Sequence, residues 1–314
     1  MRNNLHSNPY VFLVGCPRSG TTLLQRMLDA HPSMTISNDS HFITRAVKRT
    51  LRKNPNPALT GELVEQVWSY RRFYRMGLEQ KEVWEAAEEG GSYGDFVSRL
   101  YNKRAEHQGK PISGEKTPDY CRQIPALNRL FPRARFIHII RDGRDTALST
   151  LDWATSEKGP GKWPLWASDP VGTCALWWRW QVSSGNQEGS RLGPALYHEV
   201  RYEDLVADPA KALNKMSAFL DLPYSDQMTR YFEGKTRMEE GLSAKSAWMP
   251  PTSGLRDWKS QMSGENAAVF CGIAGNCLDK SGYQRKEYPD SHVVRGRIEH
   301  CLDWWKIHIK SKGV

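Results

Sequence analysis

Short apolar runs alternate with stretches of helical periodicity along the chain. Residues 10–14 (YVFLV) and 135–140 (RFIHII) are apolar, with many β-branched and aromatic side chains. Such runs are typical of strands buried on both faces of a sheet. Helix-like stretches follow them at residues 23–28 and 146–149. Strands that alternate with helices predict an α/β fold with a central, mostly parallel sheet flanked by helices.

The second half of the chain continues this pattern. Residues 196–200 predict a strand, and residues 209–220 predict a helix that opens on a proline. Residues 291–311 predict a C-terminal helix, whose apolar stripe we expect to dock on the core. The stripe consists of Val294, Ile298, Leu302, Trp305 and Ile309. The alternative is that its lysines contact an anionic membrane; these are Lys306, Lys310 and Lys312.

Residues 44–110 are charged, interrupted by glycine and mainly helical in pattern. We interpret them as an insertion that covers the carboxyl edge of the sheet, where α/β proteins bind ligands. The chain has 314 residues, of which 39% are hydrophobic, and it shows no repeats or low-complexity linkers. A chain of this size can bury one large core, so we expect a single domain over residues 1–314.

The segment between the first strand and its helix has the composition of a phosphate-binding loop. Residues 15–22 read GCPRSGTT. Backbone N–H groups in such a loop, with a helix dipole behind them, form a cradle for an anion. The G-x-x-x-x-G spacing matches a nucleotide P-loop, but Thr21 stands where the lysine should be, and Arg18 supplies a cation instead. The loop therefore favours a phosphate-like group other than a nucleoside triphosphate. The alternative is an ordinary turn without a ligand.

A second anion site is predicted at the end of the strand over residues 135–140. Arg141 follows this strand directly, and Ser149 lies eight residues further on in the predicted helix. An arginine and a hydroxyl at this offset can hold one phosphate from two sides. The alternative is a surface arginine capped by Asp142 and a serine that faces solvent.

Both segments resemble the cofactor-binding motifs of sulfotransferases that use 3′-phosphoadenosine 5′-phosphosulfate (PAPS). The R-S-G-T-T loop and the D-A-H-P continuation at residues 29–32 are most similar to the tyrosylprotein and carbohydrate branches. The resemblance implies a P-loop-like three-layer fold, PAPS as cofactor, adenosine 3′,5′-bisphosphate as product, and no metal. It assigns the 3′-phosphate to Arg141 and Ser149. It assigns the 5′-phosphosulfate to Arg18, Ser19, Gly20, Thr21, Thr22 and Leu23.

Two further segments resemble cofactor contacts of the same family. Residues 199–209 are similar to the family's R-Y-E-D-L…D-P segment, which implies that Tyr202 lies against the nucleotide; the alternative is a plain buried tyrosine. Residues 254–259 are similar to G-x-x-x-W-(K/R), which implies that Arg256 and Lys259 supply cations to the 3′-phosphate. The alternative for this segment is a solvated basic loop.

The catalytic base is expected downstream of the loop. Residues 37–43 (SNDSHFI) are similar to E-x-H-F-F of the carbohydrate branch and to E-E-T-R of the tyrosylprotein branch. Both alignments place Asp39 at the position of the base, with a side chain one methylene shorter than the family's glutamate. His41 would support it, or act as the base if Asp39 does not. The alternative for Asp39 is a helix N-cap.

Three residues are candidates for contact with the acceptor. Residues 114–120 are similar to E-K-T/S-P-x-Y of the carbohydrate branch, which implies that Lys116 stabilises the sulfuryl group or an acidic acceptor; the alternative is an exposed lysine in a turn. Trp163 and Trp166 lie in a loop broken by glycine and proline. They could stack on a sugar or a phenol, or could pack in the core.

Composition narrows the class of partner. The net charge of +9 fits a polyanionic cofactor, whereas no basic run is interleaved with aromatic residues as in nucleic-acid-binding proteins. The six cysteines form no C-x-x-C pair, which argues against zinc and suits a reducing compartment. Cys16 lies inside the loop, where amide dipoles could lower its pKa and make it sensitive to oxidation.

The sequence has no apolar stretch of membrane-span length and no signal peptide at its start. We therefore expect a soluble, cytoplasmic protein, although a member of the Golgi branches would carry a membrane anchor. The oligomeric state is left open, with a homodimer as one option.

The motifs together predict an enzyme that moves a sulfuryl group from PAPS to a hydroxyl or amine by in-line displacement, with a carboxylate base. A tyrosyl peptide, a carbohydrate, a lipid and a small metabolite all stay open as acceptors. A metal-dependent P-loop kinase or NTPase is one alternative function. A nucleotide-binding module without catalysis is the other.

Overall fold

The computed structural model describes residues 7–47, 54–155, 157–233, 250–251, 254, 256–289 and 291–309. It contains a five-stranded sheet whose order is β2-β3-β1-β4-β5. The strands are β1 (Val11–Gly15), β2 (Met34–Asn38), β3 (Ile112–Lys116), β4 (Arg135–Ile140) and β5 (Tyr197–Arg201). All pairs of described strands are parallel.

Helices connect and flank these strands. Those of the first half are α1 (Thr21–Asp29), α2 (Phe42–Ala46), α3 (Gly61–Trp68), α4 (Gln80–Glu88), α5 (Tyr93–His107) and α6 (Ile124–Leu130). Those of the second half are α7 (Gly143–Leu151), α8 (Pro170–Ser190), α9 (Tyr202–Ala207), α10 (Pro209–Phe219), α11 (Trp258–Gln261), α12 (Gly264–Lys280) and α13 (His292–His308).

The parallel register places the carboxyl ends of the strands at one edge of the sheet. Gly15 lies opposite Ile139 on β4, and Asn38 lies opposite Lys116 on β3. Residues that directly follow each strand therefore meet at this edge, which is where ligands bind in open α/β sheets.

The side chains of β1 alternate between two cores. Phe12 and Val14 face a core that also contains Phe136 and the buried side chains of α3, α4 and α5. Val11 and Leu13 face a second core, which α1 and α10 cover. A third core joins α7, α8, α12 and α13. The sheet between two helical layers confirms the predicted α/β three-layer fold.

Most predicted elements are present, with small shifts. The strand over residues 135–140 has its predicted bounds, and β1 and β5 each lie one residue later than predicted. β2 was not predicted. The insertion over residues 44–110, which we expected to cover the carboxyl edge of the sheet, is mainly helical, and its helices pack on the Phe12 face. Arg75, from the 3₁₀ turn Phe73–Met76, does reach that edge.

The C-terminal helix α13 docks on the third core, as the apolar stripe predicted. Val294 and Cys301 are buried, and Ile298, Leu302 and Trp305 pack beside them. Lys306 pairs with the exposed Asp303, whereas Lys310 and Lys312 lie outside the described residues. Among the described residues, no helix is both long and apolar enough to cross a bilayer.

Candidate active site at the carboxyl edge of the sheet

The loop after β1 curls tightly before α1. The Ser19 N–H donates to the carbonyl oxygen of Cys16 over 3.1 Å. Arg18 and Gly20 both adopt the left-handed conformation, with φ of 78° and 91°. A left-handed arginine is uncommon, because its Cβ crowds the backbone, and such residues cluster at functional sites.

This loop presents several donors to one end of α1. Thr21, Thr22 and Leu23 form the first turn of the helix, which begins without a side-chain cap at Gly20. The first N–H groups of a helix need partners from outside it. The buried Ser19 Oγ, too, has no hydrogen-bond partner among the described residues. Donors of this kind suit an anion.

Tyr202, the first residue of α9, covers one side of the loop. A Cβ built on Gly20 would lie 2.4 Å from the Tyr202 ring, so this contact requires glycine. The guanidinium carbon of Arg141 lies 4.4 Å from the centroid of the same ring. The structure therefore brings together three of the residues predicted for the cofactor.

Arg141 and Ser149 are both buried, which contradicts the alternative of two solvent-facing side chains. The Arg141 Nε has no hydrogen-bond partner in the part of the chain that the structure describes. Asp142 does not cap this arginine, because its carboxylate pairs with Arg144 at 2.7 Å. The Arg18 Nε–H donates to Ser149 Oγ over 3.0 Å. The loop after β1 and the helix after β4 therefore meet at these side chains.

The cations at this junction repel one another. The pKa of Arg18 is lowered because its guanidinium is partly buried and lies near the charges of Arg256 and Arg141. Asp152 offsets part of this repulsion and forms an ion pair with Arg256. An anion bound among these arginines would relieve the repulsion, so the junction favours a polyanionic ligand.

Asp39 lies on the other side of β1, next to Lys116. Its N–H donates to the Lys116 carbonyl over 2.6 Å, and its Oδ1 lies 3.1 Å from Lys116 Nζ. The Asp39 side chain is 26% exposed, whereas Lys116 is only 1% exposed. Lys116 Nζ also donates to Thr22 Oγ1 over 3.5 Å, which links Asp39 to α1. A buried lysine contradicts the alternative of an exposed turn.

The environment keeps Asp39 ionised and His41 neutral near pH 7. Burial raises the pKa of Asp39, but the charges of Lys116, His41 and Arg75 lower it more, and the net shift is downward. Burial lowers the pKa of His41 below its usual 6.5. Asp39 is not a helix cap, because α2 begins at Phe42 and has its N-cap at His41. An ionised, partly exposed carboxylate can accept a proton.

A family model described as "Sulfotransferase family" matches residues 9–226, which is more than half of the chain. The chain belongs to the sulfotransferase family. This confirms the resemblance that the motifs indicated. The matched region includes the loop over residues 15–22, Asp39, Lys116, Arg141 and Ser149, but it ends before Arg256 and Lys259.

Curated members of the sulfotransferase family include similar proteins from animals. Protein-tyrosine sulfotransferase A of Caenorhabditis elegans is 24% identical over 232 residues, covering 72% of this chain and 53% of that protein. Human protein-tyrosine sulfotransferase 1 is 25% identical over 225 residues, covering 72% and 54%. The chain thus spans about half the length of these relatives.

Solved structures of sulfotransferase domains share the fold. The domain from the olefin synthase of Synechococcus PCC 7002 superposes with a TM-score of 0.63 at 22% identity, covering 89% of this chain and 96% of that domain. The domain from the curacin biosynthetic pathway gives 0.53 at 19% identity, covering 93% and 97%. Identities this low support the architecture rather than a shared substrate.

The structure separates the two cations predicted late in this sulfotransferase chain. Arg256 is close enough to Arg18 to lower its pKa. Lys259 instead lines a cavity of about 810 Å³, together with Arg144, Arg201 and Tyr283. The cavity is lined by residues 142, 144, 201, 258, 259, 262, 264, 267, 282–286 and 288. Lys259 therefore borders this cavity together with Asp142, the neighbour of Arg141, and its contact with the 3′-phosphate stays a prediction.

Trp163 and Trp166 are half-buried and pack against the third core, in line with the alternative of packing rather than contact with the acceptor. The Trp163 ring lies 5.3 Å from Trp304 and 5.9 Å from Trp305 of α13. It also lies 5.4 Å from Trp177 of α8, and Trp166 packs against the same core. These tryptophans hold α8, α13 and the loop between α7 and α8 together.

The prediction for Cys16 was wrong. Complete burial raises the pKa of this thiol well above its usual 9.0, and the nearby Cys121, Asp119 and Cys174 add to the shift. The loop amides do not outweigh these effects, so Cys16 is a poor nucleophile and a poor target for oxidation.

The described residues include no group of three His, Cys, Asp or Glu side chains placed to hold a metal ion.

Sequence reasoning missed Glu115 and Arg75. Glu115 precedes Lys116 on β3, is fully buried, and accepts hydrogen bonds from four different residues. Arg75 lies 3.8 Å from Asp39 Oδ2 and donates to the carbonyl of Asn38. The E-K-T-P segment was the only signal for Glu115, and it directed attention to the lysine.

Proposed function

We propose that this chain transfers a sulfuryl group from PAPS to an acceptor hydroxyl or amine. The observation that carries the proposal is the junction of two sites at one sheet edge. Arginines surround the loop after β1, and an ionised Asp39 lies across from them, joined through Lys116 and Thr22. A kinase of the P-loop type would need the loop lysine, whose position Thr21 occupies.

The buried polar atoms at the junction fit PAPS. Ser19 Oγ and Arg141 Nε are buried donors that a phosphate could pair. Arg141 and Ser149, with Arg256 nearby, would bind the 3′-phosphate, and Tyr202 would lie against the nucleotide. Arg18 and the N–H groups from Ser19 to Leu23 would bind the 5′-phosphosulfate. When bound, PAPS supplies the sulfuryl group and the leaving phosphate.

Asp39 accepts the proton of the acceptor in this mechanism. The acceptor oxygen or nitrogen then bonds to sulfur while the bond between sulfur and the 5′-phosphate oxygen breaks. Lys116 and Arg18 stabilise the negative charge that grows on the departing phosphate. Burial lowers the pKa of His41, so this residue borders Asp39 as a neutral imidazole near pH 7.

The acceptor hydroxyl that we test first is a tyrosyl phenol, because the curated relatives carry the name protein-tyrosine sulfotransferase. Asp39 is flanked by Arg75 and Lys116, so an acceptor with acidic groups near its hydroxyl would be attracted to this site. A sugar, a lipid and a small metabolite are the other acceptors that the assay includes.

The first experiment is calorimetry with adenosine 3′,5′-bisphosphate and with ADP, both in EDTA. We expect tight binding of adenosine 3′,5′-bisphosphate, because Arg141 and Ser149 would bind its 3′-phosphate. ADP lacks this phosphate and should bind weakly. Transfer of labelled sulfate from PAPS to tyrosyl peptides, oligosaccharides and lipids then identifies the acceptor. ADP binding that is equal, or that requires magnesium, would overturn the assignment and favour a kinase.

A further inference from the structure

Glu115 is a buried carboxylate surrounded by neutral donors. It lies next to the end of β3 and is 0% exposed. Its Oε1 accepts from the Ser40 N–H at 3.1 Å, the Ser40 hydroxyl at 2.9 Å and the Thr117 hydroxyl; its Oε2 accepts from the Tyr101 hydroxyl at 2.7 Å and the Ser37 hydroxyl. Burying an ionised carboxylate costs free energy unless hydrogen bonds compensate for it. The five hydrogen bonds to Glu115 therefore indicate that this carboxylate has a specific role.

The donors come from the turn that carries Asp39. Asp39 and His41 both adopt the left-handed conformation, with φ of 50° and 59°. Ser40 lies between them, is fully buried, and gives both its N–H and its hydroxyl to one oxygen of Glu115. Two left-handed residues that flank a single residue persist only where the surroundings hold them.

Glu115 and its neighbour Lys116 act on opposite sides of the strand. Successive side chains of a strand point to opposite faces. Glu115 reaches Tyr101 of α5 on one face, and Lys116 reaches Thr22 of α1 on the other. Lys116 pairs with the Asp39 carboxylate, while Glu115 holds the backbone that carries it.

We propose that Glu115 is a positioning residue, which clamps Ser40 and thereby aims Asp39 at the acceptor. The inference rests on the proposed function, because it assumes that Asp39 is the base. Glu115 is not itself the base, since it is fully buried and both oxygens are already hydrogen-bonded, whereas Asp39 is 26% exposed.

The first test is Glu115→Gln, which keeps the size of the side chain but leaves one oxygen to accept. We expect kcat to fall about 10- to 100-fold, as misplacement of a reacting group by about 1 Å can do. Affinity for adenosine 3′,5′-bisphosphate should stay within about twofold, because the cofactor residues lie on the other side of β1. An unchanged kcat in a folded Glu115→Gln protein would overturn the proposal.

A matched pair separates positioning from stability. Ser40→Ala and Tyr101→Phe each remove one hydroxyl from Glu115, but only Ser40 belongs to the turn. We expect Ser40→Ala to lower kcat and Tyr101→Phe to lower only the Tm. The double variant Glu115→Gln with Ser40→Ala should lose no more kcat than Glu115→Gln alone, since both act through one contact. Equal loss of kcat in the two single variants would contradict the proposal, even if Glu115→Gln does not fold.

The pH profile of kcat gives a readout that a structural role would not move. Lys116, His41 and Arg75 are the charged or titratable groups that lower the pKa of Asp39. If Ser40→Ala releases Asp39 from Lys116, that pKa rises and the acidic limb of kcat shifts to higher pH. An unshifted limb together with reduced kcat would indicate a structural role.

Failure of this inference differs from failure of the proposed function. Wild-type protein that transfers sulfate to none of the acceptors would refute the function. An Asp39→Asn variant with full turnover would leave the function intact and refute only the role of Asp39 as the base. An active wild type and an inactive Asp39→Asn variant, with normal turnover in Ser40→Ala and Glu115→Gln, would refute the role of Glu115 alone.

Discussion

The two halves of the sheet edge are built on different principles. Around β1 and β4, a contiguous loop and a nearby arginine create an anion site from backbone donors and charge. Around β2 and β3, a turn with two left-handed residues is held by a buried carboxylate from the neighbouring strand. The first half takes most of its donors from one continuous segment, whereas the second places one carboxylate through contacts between β2 and β3.

The largest expected effect falls on the β2–β3 half. Asp39→Asn keeps the shape of the side chain but removes the proton acceptor. We expect kcat to fall by about 10² or more, with affinity for adenosine 3′,5′-bisphosphate nearly unchanged. Sulfate transfer and calorimetry on the same preparation measure both values. Unchanged turnover would move the role of base to His41.

The β1–β4 half should respond in the opposite way. Arg141→Met removes charge-assisted hydrogen bonds to the 3′-phosphate and should weaken binding of adenosine 3′,5′-bisphosphate by about 10- to 100-fold. Ser149→Ala should weaken it less, because it removes a neutral donor. Lys259→Met is the matched control, because it removes a cation that lines the other cavity. A loss of affinity in Lys259→Met as large as in Arg141→Met would support the predicted contact of Lys259 with the 3′-phosphate.

Gly20→Ala tests the contact between the loop and Tyr202. The new Cβ would meet the ring at 2.4 Å and would also occupy φ of 91°. We expect the free energy of unfolding to fall by about 1–3 kcal/mol and cofactor affinity to fall with it. Gly109→Ala is the control, since it has a similar φ of 62° but open space around it. Equal effects of the two variants would mean that the ring contact is unimportant.

The smallest effect concerns acid stability. Burial lowers the pKa of His41 in the folded state below 6.5, so the unfolded chain binds more protons as pH falls. The stabilisation present above pH 6.5 is therefore lost on acidification. His41→Asn tolerates the left-handed conformation and should show a smaller decrease in Tm between pH 7 and pH 5. His138 and His198 shift the same way, so the variant removes only part of the decrease. An identical decrease in wild type and variant would contradict this assignment.

The sequence allowed the β1–β4 half to be predicted because its physics is local. A strand, a glycine loop and a helix start follow one another in residues 10–28, and Arg141 directly follows β4. β2 could not be recognised, because Thr35 and Ser37 interrupt its apolar pattern. Their hydroxyls are satisfied by Asp29 and Glu115, which the sequence does not place nearby.

The remaining errors have the same origin. Trp163 resembled a binding residue because its loop is rich in glycine and proline, but its ring packs against Trp304 and Trp305 of the distant helix α13. The position of Cys16 in the loop predicted that amide dipoles would lower its pKa, but its burial raises that pKa instead. In both cases a residue's surroundings were set by segments remote in sequence.

Lys116 connects the anion loop to Asp39, so binding in the loop can affect how strongly Asp39 holds a proton. Its single ammonium serves Asp39 at 3.1 Å and Thr22 of the anion loop at 3.5 Å. A polyanion in the loop would compete with Asp39 for that charge, and a carboxylate that shares its counterion holds a proton more strongly. In the proposed mechanism, donor binding and the proton affinity of Asp39 are therefore linked reciprocally, and Asp39 becomes a stronger base when the sulfuryl donor is bound.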